Sequence, residues 1–78
     1  MVDIVNKTKQ FGLHFSICQE AKEFVSYREH GVAFEFIVNH LYEQNSAIDK
    51  PFYELIKVTG NRMKLAEDKW NFLEELIR

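Results

Sequence analysis

Cysteine, proline and glycine are scarce in this chain, and it has no excess of basic residues. Cys18 stands alone among 78 residues, so no intramolecular disulfide can form, and the count suits a reducing compartment. Pro51 is the one proline, Gly31 and Gly60 of the three glycines read as helix stops, and no repeat or low-complexity stretch is present. No apolar run approaches the roughly 20 residues of a membrane span. The opening Met-Val-Asp-Ile-Val-Asn-Lys lacks the basic start and continuous apolar stretch of a signal peptide. The expected address is the cytoplasm, away from the membrane. The formal net charge is −2, and phosphate binding needs a basic face, so nucleic acid is not an expected partner.

What remains is apolar surface in quantity: 46% of the residues are hydrophobic and seven are Phe, enough for one small core in a single domain spanning residues 1–78. A chain of this mass has an accessible surface of about 5,000 Å², and a standard protein interface takes about 800 Å² of it. A ligand pocket of roughly 300 to 1,000 Å³ has instead to be cut into the core. Size favours binding a protein over catalysis, and the expectation is a chain that is not an enzyme.

Five helical segments are predicted, which makes the fold class all-α, a compact bundle of four to five short helices. Asp3 caps the first, with Ile4, Thr8, Phe11 and Phe15 along one face and an open end near Gly12. Ser16 caps the second, which buries Ile17, Ala21, Phe24 and Val25 and stops at about His30, where the imidazole complements the helix dipole. Gly31 takes the left-handed conformation of a tight corner, and the third helix runs from Val32 to near Gln44 with Ala33, Phe36, Ile37, His40 and Leu41 inward. Ile48 folds back onto the core. Asp49-Lys50-Pro51 opens the fourth helix, which Gly60-Asn61 ends. Ala66 to Arg78 forms the last, with a stripe of Trp70, Leu73, Leu76 and Ile77. The phenylalanines, Met63 and Trp70 are all expected in the core.

Chemistry is hard to assemble from what is present. No two of His14, His30 and His40 are four apart, and Cys18 has no nearby cysteine, so the four ligands of a closed zinc site are missing and no cofactor is expected. Nothing supplies the orienting third group for a Cys–His pair, and Cys18 reads as a small packed hydrophobe. The link between the third and fourth helices is too long for a helix-turn-helix.

The charge distribution is more informative than its total. Between residues 20 and 48, Glu20, Glu23, Glu29, Glu35 and Glu43 oppose only Lys22 and Arg28. Glu35, Asn39 and Glu43 step by four along the side of the third helix opposite its apolar stripe, a pattern ordinary for a solvated face and equally suited to a basic partner. Tyr27, Tyr42 and Tyr53 lie near helix ends, where they can add aromatic contact area.

From Tyr27 to Ile77, the run Tyr27, Gly31, Ala33, Glu35, Leu41 and Glu43, then Ile48, Tyr53 and Ile56, then Met63, Trp70, Leu73 and Leu76 resembles the MafI family of small bacterial immunity proteins. Some of these occur as CdiI proteins of contact-dependent growth inhibition systems. Residues 1–26 match only as a helical lead-in, and Val32 stands where an acid is expected after Gly31. The resemblance implies an immunity protein that occludes a cognate toxin domain, commonly a nuclease, delivered between bacterial cells and encoded by a neighbouring gene. The toxin-binding set expected here is Glu23, Tyr27, Glu35, Asn39, Tyr42 and Glu43. The competing expectation is a helical adaptor or oligomerisation module without a toxin.

Overall fold

Four α-helices carry the fold: α1 (Val2–Thr8), α2 (Phe15–Ser26), α3 (His30–Glu43) and α4 (Lys50–Arg62). Shorter 3-10 segments follow α1 at Lys9–Phe11 and complete the chain at Glu67–Lys69 and Asn71–Leu76. The structure, a computed structural model, describes residues 2–78, and it is all-α, with no β-strand among them. An isolated parallel bridge pairs Ile48 with Ile77, through Ile48 N–H to the Leu76 carbonyl at 2.9 Å and Arg78 N–H to the Ile48 carbonyl at 3.0 Å. This ties the α3–α4 connection to the C-terminal segment.

The helices end in one repeated way, which is not where the glycines point. After each of α2, α3 and α4 a residue with positive φ, namely Arg28 (62°), Asn45 (53°) and Lys64 (60°), lets the next N–H reach back to the last turn. The bonds are Glu29 N–H to Phe24 O, Ser46 N–H to Leu41 O and Leu65 N–H to Gly60 O, the six-to-one closure of a Schellman motif. Gly12 (86°) does the same after the first 3-10 turn, with Leu13 N–H donating to Thr8 O. The expected corner at Gly31 is therefore corrected. Arg28 turns the chain, α3 begins at His30, and Gly31 lies in its first turn. His30 accordingly sits at the start of α3 rather than the end of α2. Likewise α4 runs through Gly60 to Arg62, and Lys64 makes the stop.

Gly60 is required for another reason. A Cβ built there would lie 2.6 Å from Cε3 and Cζ3 of Trp70, so the missing side chain is what lets the indole lie on α4. Trp70, Leu73 and Leu76 are all buried and spaced by three, which matches the 3-10 period adopted in place of the expected α-helix. They meet Phe34, Ile37, Leu41, Ile48, Phe52 and Ile56 in one core with Ile4, Val5, Leu13 and Cys18.

The start signals divide. The Asp49 carboxylate accepts from Phe52 N–H at 2.9 Å, as its position before Pro51 predicts. Asp3 lies inside the first turn of α1 rather than capping it. Ser16 does not cap α2: His14 does, with its Nδ1 accepting from Ser16 N–H at 3.1 Å. Phe15 leaves the core it was expected to join and is 63% exposed beneath Lys9 Nζ, because α2 begins at that residue and turns it outward.

Candidate functional site

The exposed side of α3 has two flanks, and the residues expected to bind a partner fall on different ones. Glu35 and Tyr42, seven apart on the helix, face the C-terminal 3-10 segment. Glu35 Oε1 accepts from Lys69 Nζ at 3.1 Å. The Tyr42 ring packs edge-on against Phe72 at 4.9 Å between centroids, and its hydroxyl donates to Glu75 Oε2 at 3.2 Å. Further along, Arg78 donates to Asn45 Oδ1 at 2.9 Å. Seven α-helical residues rise about 10 Å and six 3-10 residues about 12 Å. The two segments therefore run side by side with Glu35 opposite Lys69 and Tyr42 opposite Phe72 and Glu75. Both side chains are committed within the molecule.

The other flank faces α2. Phe24 and Phe36 meet edge-on at 5.4 Å between centroids, and Phe36 packs at a 48° tilt against the His40 ring at 4.3 Å. His40 Nδ1 lies 2.8 Å from the Phe36 carbonyl, a bond that holds the imidazole over its own helix. These three half-buried rings form the floor of a seam between α2 and α3.

Helix periodicity places exposed side chains along that floor. On α2, Glu20, Glu23 and Tyr27 share a stripe with Phe24, at the first, fourth and eighth positions of a run of eight. On α3, Val32, Asn39 and Glu43 share one with Phe36. Tyr27 is 78% exposed and Val32 47%, one on each side of the Arg28 turn. Among the described residues, Glu20, Glu23, Asn39 and Glu43 make no side-chain hydrogen bond or ion pair within the chain. So Glu23, Tyr27, Asn39 and Glu43 are brought onto one face, while Glu35 and Tyr42 are drawn off it. Val32 and Glu20 belong to the face too. The α2 stripe was legible in the spacing of Glu20, Glu23 and Tyr27, but its union with α3 was not. Tyr53, by contrast, is 8% exposed and part of the core.

The hydrogen bond and the negative charge of Glu75 raise the Tyr42 phenol above its ordinary range. The Glu35 carboxylate holds the Lys69 ammonium protonated to higher pH than usual. Burial raises Tyr53, with Glu74, Glu67 and Glu54 adding to it. Among the described residues no pocket opens in the surface, and no three His, Cys, Asp or Glu side chains lie together as metal ligands do. No helix there is long and apolar enough to cross a membrane. Cys18 is fully buried, with its sulfur 3.4 Å from Thr8 Oγ1.

The molecule is thus a small all-α domain that offers a face rather than a cleft. No protein-family model matches the chain, and no curated protein and no solved structure matches it either.

Proposed function

We propose that this chain is an immunity protein that binds one cognate bacterial toxin domain and neutralises it by covering its active site or a surface it needs. The observation that carries the reading is the outer face of α2 and α3, where Glu20, Glu23 and Glu43 stand exposed without an internal partner. The resemblance of residues 27–77 to MafI immunity proteins supports the same reading. A nuclease suits such a face, because an enzyme that grips phosphate presents basic groups. Carboxylates pair with those groups and steer the encounter. The total surface of 4873 Å² leaves room for a standard interface of about 800 Å². The two proteins meet in the cytoplasm, after the toxin has entered.

The test is co-expression with the toxic C-terminal region encoded beside this gene, scoring survival and co-purification together. Survival with a stable complex is the expected result. Death without a complex, with this chain soluble and folded, removes that toxin as a target and brings forward the adaptor or oligomerisation reading.

A further inference from the structure

Resting on the immunity reading, we infer that the toxin docks on the seam between α2 and α3, around Tyr27 and Val32, with a cationic protein surface that has an apolar centre. The ledge between α3 and the C-terminal segment lies outside that interface.

Exposed apolar area is the first argument. Elsewhere on the described surface the large exposed hydrophobic side chains are already engaged or stand singly. Phe15 lies under Lys9, whose Nζ is 5.9 Å from the ring centroid, and Tyr42 is packed on Phe72. Val58 stands singly on α4, with no second exposed large hydrophobic side chain on that helix. Tyr27 and Val32 are two exposed apolar side chains on either side of one turn, at the end of the seam floored by Phe24, Phe36 and His40. An exposed amphipathic aromatic and an exposed aliphatic residue at one helix corner, with polar groups on the same helices, supply what an interface centre is made of.

Charge selects the occupant. Glu23 stands one turn before Tyr27, Glu20 a further turn back along α2 and Glu43 at the far end of α3, all exposed with no partner of their own and outnumbering Arg28 in the turn, whereas Glu35 is balanced by Lys69 at 3.1 Å. A basic protein surface gains three new pairs at the seam and must break an existing one on the ledge. A second copy of this chain is disfavoured, because a two-fold contact sets the same carboxylates against each other. Phosphate-bearing partners are repelled for the same reason.

Rigidity is the third argument. The Schellman closure at Arg28 fixes the angle between the two helices, and the bond from His40 to the Phe36 carbonyl fixes the floor. Little ordering cost is left for the moment of binding.

The test measures dissociation of the toxin domain, with its catalytic residue inactivated, from this chain and four variants checked by circular dichroism. Tyr27→Ala and Val32→Ser should each speed dissociation by about tenfold or more, as removal of an interface anchor does. Tyr42→Phe and Glu35→Gln should leave it within about twofold, since surface substitutions away from an interface contribute little. All four positions are at least partly exposed, so loss of fold is not the expected consequence. Sensitivity at Tyr42 and Glu35 with indifference at Tyr27 and Val32 overturns the seam and leaves immunity standing. Wild-type chain that neither binds nor protects overturns both, as does a homodimer in sedimentation that Tyr27→Ala dissolves.

Discussion

Glu35 and Lys69 meet at 3.1 Å across the boundary between α3 and the C-terminal segment, with 43% and 48% of their side chains exposed. The pair neutralises one of the two carboxylates in the stripe Glu35, Asn39 and Glu43. Half-exposed pairs add little to stability, so the effect of this one belongs to electrostatics. Lys69→Gln should leave thermal unfolding nearly unchanged and release the Glu35 charge. Association with a basic toxin domain should then quicken at low ionic strength, and the gain should fade as salt is raised. Stopped-flow association across a salt series checks this, and a rate unaffected at every salt concentration would contradict it.

Gly60→Ala should destabilise the protein by about 1 to 3 kcal/mol, the usual range for overpacking a filled core. An ordinary helical glycine gains up to about 1 kcal/mol from the same change, but here the added methyl lies 2.6 Å from two atoms of a buried indole ring. Urea denaturation followed by tryptophan fluorescence reads the outcome directly. An increase in midpoint would mean that Trp70 shifts freely, contrary to its burial.

Lys64→Gly should act in the opposite direction. Lys64 holds φ at 60° after α4, a conformation that costs an ordinary side chain about 1 kcal/mol or more and glycine almost nothing. The expected gain is about 0.5 to 1 kcal/mol, since a glycine there also loses more freedom on folding. The same denaturation experiment measures it. A loss of stability would show that the Lys64 side chain contributes more than its backbone strain costs.

Alkali should unfold the protein through a definable set of groups. Tyr53 is raised above its ordinary 10.0 chiefly by burial, Tyr42 above 10.0 by its bond to Glu75, and Lys69 above 10.5 by Glu35. A group whose folded value exceeds its unfolded value contributes stability that is complete below the unfolded value and is lost as pH rises through the folded one. Stability should therefore hold flat up to about pH 9 and fall above about pH 10, where phenols begin to ionise in the unfolded chain. Tyr53→Phe should blunt that fall by removing the buried phenol. Denaturation curves from about pH 8 to pH 11 decide it, and an equally steep fall in the variant would assign the loss elsewhere.

Local signals in the chain predicted local structure at some positions and not at others. Asp49 before Lys50-Pro51 places a helix start because its carboxylate and the proline both act within one turn, and Asp49 caps Phe52 N–H as expected. The inward faces of α2 and α3 follow from three- and four-residue spacing, which is why Ala21, Ala33, Ile37 and Leu41 are buried where periodicity puts them. Glycine position misled for a related reason. Gly31 and Gly60 permit a left-handed turn, but the turn forms where closing bonds and buried contacts are best, and Arg28 and Lys64 accept the strain.

The candidate face was legible in part. Glu23, Tyr27, Asn39 and Glu43 are exposed, and spacing along α3 grouped Asn39 with Glu43 but included Glu35 as well. That Glu35 and Tyr42 belong to a different flank depends on Lys69, Phe72 and Glu75, some thirty residues away in the chain. Nothing in their spacing encodes that contact.

The sequence by itself determined the all-α class, the single small core and the acidic bias of the central helices, because composition and a repeat of 3.6 residues act over one or two turns. Tertiary structure alone decided that Glu67–Lys69 and Asn71–Leu76 wind as 3-10 segments in place of one α-helix over 66–78. It also decided that Gly60 serves an indole rather than a helix end, and that only one flank of α3 stays open. Each of these is a contact between segments distant in the chain. The free energy of burying Trp70 against α4, and of pairing α3 with the C-terminal segment, outweighs the weak local preference of either partner.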